Sequence, residues 1–175
     1  MKDPDKGLNY KIITIREYFS FRKQRQIYQG LIFLRQYLKG GLIEKFGAEL
    51  ILIAINIKSL FYKPIAIYIQ DKYYNDKIVG IVLAFIPRLN KKSVALDAIA
   101  VQKELRNQGF GKLLIELLED ELSKMNLPKH ISIYLKTYRY ENNKVLSFYQ
   151  KQGFIIPKET NNNRYINLKK KVIFK

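Results

Sequence analysis

The run Arg106-Asn107-Gln108-Gly109-Phe110-Gly111-Lys112 sets two glycines and two cations where an apolar strand pattern gives way to a helical one. Glycine lets backbone approach a ligand with no Cβ in between. The unpaired N–H groups of a helix start, at the positive end of its dipole, then suit an anion such as a pyrophosphate. A tight strand-to-helix turn also calls for glycine, so the motif by itself reads either way. It is not a Walker loop, since Leu113 follows Gly111-Lys112 where a Ser or Thr would stand. The dinucleotide fingerprint is excluded too, because its third glycine is missing and no βαβ unit opens the chain.

A second stretch runs from Glu141-Asn142 through Tyr149 to Gly153-Phe154. Asn142 and Tyr149 are seven residues apart, and at about 100° per residue they share a helix face. With 13 tyrosines in the chain, Tyr149 could equally fill core. Asn142 could be an N-cap and Gly153 a C′ residue. Asp97 is a strand carboxylate two residues before Ile99, which alternation places on the same face. Glu104 reads as solvated, and His130, which opens a strand, takes no role.

These residues need elements to position them. Tyr10 to Ile15 reads as a strand, and Ile27, Leu31, Leu34 and Leu38 line a helix that ends at Gly40-Gly41. A second helix is expected from about 42 to 60, with Leu50 to Ile57 readable as a buried strand instead. Residues 64–70 and 77–86 form an antiparallel hairpin about a polar turn. A third strand, 94–101, precedes the glycine loop and a helix from 111 to about 125. A strand at 131–138, a helix at 143–152, and strands at 154–156 and 164–173 complete one mixed α/β domain. Residues 1–9 are expected to be a loose tail and 10–175 the domain.

The 175 residues leave room for one domain with a sizeable core, at 47% hydrophobic. Zero cysteines exclude disulfides and thiolate chemistry, and one histidine argues against a His-built metal centre. No stretch reaches the ~20 apolar residues of a membrane span, and the start lacks a signal-peptide pattern. A soluble, cytoplasmic protein is therefore expected. The net charge of +17 attracts anions, although a chain rich in Lys, Ile, Asn and Tyr can be basic by composition alone.

Taken together, Val101-x4-Arg106-x2-Gly109-x-Gly111, a helix, a strand, then Asn142-x6-Tyr149-x3-Gly153-Phe154 resembles the GCN5-related N-acetyltransferase (GNAT) family. The likeness spans about residues 10–173, with the motifs between 94 and 156. It implies a single-domain α/β fold with a mixed, mostly antiparallel sheet of about seven strands, flanked by helices. Strands 4 and 5 would splay around the pantetheine arm of acetyl-CoA, the co-substrate, with no metal. Ile99, Ala100 and Val101 would meet the acetyl group and pantetheine through their backbone. Arg106, Asn107, Gln108, Gly109, Phe110, Gly111 and Lys112 would cradle the pyrophosphate, and Asn142 would bond the pantetheine. Tyr149 would protonate the departing thiolate, its phenol of ordinary pKa ~10 being matched to an alkyl thiol. An N–H near Val101 would steady the oxyanion.

The general base is where the sequence departs from its relatives. Ribosomal-protein N-terminal acetyltransferases of this family carry a glutamate five residues before the Asn; here that position is Thr137, while Arg139 matches. Asp97 is the nearest alternative base, with an ordered water chain as the other. The acceptor implied is an amine on a small molecule or a protein. It would contact the two N-terminal helices and the loop 157–164, and the charge favours an acidic or neutral acceptor over a polyamine. Nucleic acid is expected to bind at most weakly and non-specifically, and a homodimer is allowed for. The alternative is a CoA-fold binding or regulatory module that docks on nucleic acid or an acidic surface.

Overall fold

A computed structural model describes residues 10–15, 29, 32–33, 58, 60–71, 77–138, 143–157 and 165–174. Six strands form one sheet in sequence order: β1 (Tyr10–Ile15), β2 (Tyr62–Asp71), β3 (Lys77–Pro87), β4 (Ser93–Val101), β5 (His130–Tyr138) and β6 (Tyr165–Ile173). All neighbours are antiparallel except β4 and β5, which are parallel and joined through helix α1 (Phe110–Ser123). A parallel pair needs such a crossover, because a hairpin cannot bring the chain back in the same direction. Helix α2 (Asn143–Lys151) links β5 to β6.

The sheet has six strands among the described residues where about seven were expected. Phe154 to Ile156 contributes only an isolated bridge, Ile155 to Lys169, rather than a strand. Ile155 is 62% exposed, so little apolar burial extends the pairing. The two helices expected between about 20 and 60 lie almost wholly outside the described residues; Gln29, Ile32, Phe33, Lys58, Leu60 and Phe61 are helical. The alternative of a strand at 50–57 also lies outside them.

The hairpin β2–β3 shows why pattern alone understates burial. Every residue from Ile65 to Ile69 and from Ile78 to Ile86 is buried, so both faces are covered. Strands buried on both faces read as continuous apolar runs. On one face Ile65, Ile67, Ile69, Val82 and Ala84 pack with Leu114, Ile115, Leu118 and Leu122 of α1. These helix positions recur every three or four residues, the spacing of one helix face. Gly80 admits α1 closely: a Cβ there would lie 3.3 Å from Leu114 Cδ1.

Candidate active site

Strand β4 carries an irregularity that aims its side chains. Leu83 pairs with Ala98 and Ala84 with Leu96, which leaves Asp97 as an extra, unmatched residue. A bulge of this kind shifts the in–out alternation by one. Val94 and Leu96 belong to the core on the α1 face, and beyond the bulge it is Ile99 and Val101 that pack against it. The expectation that Asp97 and Ile99 share a face is therefore corrected, because it assumed unbroken alternation. The Asp97 side chain, 39% exposed, takes an ion pair from Lys58 at 2.5 Å. Lys58 Nζ lies 3.8 Å from the Phe85 ring centroid, on the other face of the sheet.

Between β4 and β5 the register partners run only from Ser93–Ser132 to Ala95–Tyr134. Beyond Ala95 the strand continues through Ile99, Ala100 and Val101 to the glycine loop. Gln102 donates its N–H to Val79 carbonyl at 2.8 Å, which ties the strand end to β3 and removes that N–H as an oxyanion donor. A short 3₁₀ turn, Lys103–Leu105, follows. Arg106 Nε donates to Val101 carbonyl at 3.3 Å, and Gln108 Nε2 to Glu104 carbonyl at 3.0 Å. Glu104 is exposed, as expected.

The loop then makes two left-handed steps, Asn107 at φ 64° and Gly109 at φ 90°. Asn tolerates that region better than most residues, and glycine enters it without cost. Gly109 is the N-cap of α1 and supplies no side-chain cap. The first-turn N–H groups, which have no partner within a helix, are thus uncapped by a side chain. A Cβ on Gly109 would meet nothing within 4 Å, whereas one on Gly111 would lie 3.1 Å from two ring carbons of Phe148. The glycines therefore do different work: Gly109 takes a backbone conformation and leaves the loop open, and Gly111 lets α2 pack against α1. Phe110 is buried beneath them, and Lys112 is exposed beside Glu116 at 3.5 Å.

Phe148 precedes Tyr149, so the same contact brings α2 to the loop. The helix ends as its sequence suggests, with Gly153 at φ 83°. Gly153 N–H bonds Gln150 carbonyl at 2.9 Å and Phe154 N–H bonds Tyr149 carbonyl at 3.0 Å, the paired bonds of a Schellman cap. Phe154 thereby folds back on the Tyr149 ring, at 5.5 Å between centroids, with Phe148 at 5.1 Å on another side. Tyr149 is only 8% exposed. Burial pushes its phenol up to about 12, so the hydroxyl keeps its proton at neutral pH.

Other residues singled out in the sequence are placed as follows. Thr137 is half-buried on β5, opposite Ile166. Asn142, Arg139 and Glu141 lie outside the described residues. His130 is exposed. Lys170 of β6, in addition, is ion-paired with Glu119 of α1, so it fastens β6 to the helix. A cavity of about 450 Å³ lined by Lys63, Arg88, Lys91, Lys124 and Met125 lies at the opposite end of β4 and α1 from the glycine loop. Its position separates it from the residues that carry chemistry. No group of three or more metal-ligating residues occurs among the described residues, and none of their helices is long and apolar enough to cross a membrane. Lys58 and Phe148 were not foreseen; each acts across more than 35 residues of chain, on Asp97 and Gly111 respectively.

The family model of the acetyltransferase (GNAT) family matches residues 37–154, two thirds of the chain, including β4, the loop, α1 and Tyr149. The chain belongs to the GNAT family. Solved structures show the same fold for this GNAT chain at low identity. The ribosomal-protein-S18-alanine N-acetyltransferase of Escherichia coli is 16% identical with a TM-score of 0.61, covering 95% of this chain and 96% of that one. PaiA N-acetyltransferase of Thermoplasma acidophilum, solved with coenzyme A, is 17% identical at 0.62, over 92% and 99%. A chain of the NatC complex bound to Gag peptide and CoA is 17% identical at 0.64, over 94% and 99%. No curated protein matches the sequence.

Proposed function

We propose that this GNAT protein transfers an acetyl group from acetyl-CoA to a primary amine by direct attack in a ternary complex. One observation carries the reading: the ladder partners of β4 and β5 end at Ala95–Tyr134, and the stretch Ile99–Val101, unpaired to β5, is followed, after a short 3₁₀ turn, by an uncapped, glycine-opened helix start. The strands would splay there and admit pantetheine against the backbone of Ile99, Ala100 and Val101. The pyrophosphate would lie on the N–H groups of the Gly109–Lys112 turn, with the positive dipole end favouring its charge. Arg106 and Lys112 add cations, and Asn142 would bond the pantetheine. Two of the similar structures were solved with CoA, which supports the same co-substrate here.

The neutral amine adds to the thioester carbonyl, and a β4 backbone N–H other than that of Gln102 holds the oxyanion. When it collapses, the C–S bond breaks and the electron pair leaves on sulfur. Tyr149 then gives its proton to the thiolate. A phenol raised to about 12 is not mismatched, because the same apolar surroundings raise the thiol's own pKa. The proton lost by the attacking amine passes to Asp97 or to water.

A mass-resolved screen of amine acceptors with acetyl-CoA tests the reaction. The expected product is an acceptor 42 mass units heavier, formed with one equivalent of free CoA thiol; thiol release without any acetylated amine would reject it. The same assay decides the base. Asp97→Asn should lower kcat by 10²-fold or more if that carboxylate accepts the proton in the transition state. A change below about threefold would restrict Asp97 to its exposed pair with Lys58, worth at most ~1 kcal/mol of stability, and leave the proton to water.

A further inference from the structure

The outward face of β5 and β6 lies on the side of the sheet away from α1 and α2. Its register sets Ser132 opposite Lys171, Tyr134 opposite Lys169 and Lys136 opposite Asn167, with Tyr165 beyond. The alternate residues Ile131, Ile133, Leu135, Ile166 and Leu168 are buried in the core, so this second set faces out. Tyr134 is 40% exposed and Tyr165 38%. Lys169 Nζ lies 5.2 Å from the Tyr134 centroid and Lys136 Nζ 4.4 Å from that of Tyr165. Hydrogen bonds from Lys169 and Ser132 hold the Tyr134 phenol below its usual pKa. None of the outward positions named is acidic.

We propose that this face is a platform for single-stranded nucleic acid. Two aromatic rings standing on a sheet can each stack a base, a sequence-tolerant contact, while lysines between them follow the backbone. The spacing fits. Residues two apart on a strand are about 6.8 Å apart, close to the through-space separation of successive phosphates along a single strand, so Lys169 and Lys171 match neighbouring phosphates. Lys136 Nζ, near the Tyr165 ring, and Lys169 Nζ, which bonds the Tyr134 phenol from its edge, are each placed to turn onto a phosphate beside a stacked base. The exposed rings favour a nucleic acid over an acidic protein segment, which would use the lysines alone. A duplex keeps its bases paired inside and cannot offer them to the rings. Binding is sequence-independent and in the ~10⁻⁴–10⁻⁶ M range of non-specific contacts.

The test is fluorescence anisotropy of the full chain with a labelled oligouridine, titrated over a series of salt concentrations. Lys169→Gln with Lys171→Gln should flatten the log–log salt slope by about 1.4, at ~0.7 for each single-strand phosphate contact. Lys77→Gln with Lys124→Gln removes the same charge elsewhere and should leave the slope unchanged. Tyr134→Ala and Tyr165→Ala should each weaken binding at least about fivefold at fixed salt with the slope retained. Circular dichroism melts of all variants check that each is folded; should Tyr134→Ala melt early, Tyr134→Leu replaces it, keeping bulk without an aromatic ring. Equal losses in the two lysine pairs, tyrosine variants that bind as tightly as the parent, or duplex bound as tightly as single strand would each overturn the proposal. Displacement of the oligonucleotide by poly-glutamate at equal charge would assign the face to an acidic protein instead.

Discussion

Tyr149→Phe should lower kcat by about 10²–10⁴-fold, the usual contribution of a positioned general acid. The KM for acetyl-CoA should barely move, since the lost interaction is made in the transition state. The substitution is clean here because the ring is packed between Phe148 and Phe154 and keeps those contacts without its oxygen. The melting temperature should hold, so any lost rate belongs to the hydroxyl. The pH dependence follows from burial, which raises the folded-state pKa from 10.0 to about 12. The protonated phenol is present in both folded and unfolded chains below pH 10, so its stabilising preference is complete there. That preference is lost as the pH rises through about 12. The alkaline fall in kcat due to Tyr149 should accordingly lie above pH 10 and vanish in the Phe variant. A kcat within twofold of the parent would make Tyr149 a core residue and leave water to protonate the thiolate.

Acetyl-CoA at 100 times its Kd should stabilise the fold by ~2.7 kcal/mol. For a chain of this size that is a rise of about 5–10 °C in Tm, at ~2–4 °C per kcal/mol. Gly109→Val should remove most of this rise. A branched side chain at φ 90° is strained, and it would fill the open space above the helix start where the pyrophosphate would lie. Gly111→Ala separates the second glycine from the first. Its methyl would press on the Phe148 ring at 3.1 Å, so the ligand-free Tm should fall while the increment from acetyl-CoA persists. Differential scanning fluorimetry reads all three proteins. No shift of the parent in millimolar acetyl-CoA would end the pyrophosphate assignment for this loop.

Several features needed only local chemistry to be read. The Schellman end of α2 follows from Gly153-Phe154, because glycine alone enters the left-handed step cheaply and the apolar residue after it folds back. The strand–loop–helix order around Gly109 follows in the same way, from period and punctuation within some twenty residues. Burial of Leu114, Leu118 and Leu122 was likewise implicit in the helical period.

The sequence by itself determined the order of elements from β2 to β6, the glycine loop at the start of α1 and the place of Tyr149 on α2. These depend on backbone freedom, capping and apolar period, which are properties of residues close together in the chain. Tertiary structure alone decided the rest. It made Asp97 the extra residue of a bulge and gave its carboxylate to Lys58, 39 residues earlier. It set the Phe148 ring against Gly111, so that this glycine also serves the packing of α2 on α1, and reduced the expected strand at 154–156 to one bridge. A bulge exists only relative to a partner strand, and a close contact only relative to a neighbouring helix. Register and packing between distant segments are set by how the whole core closes, and no local pattern carries that information.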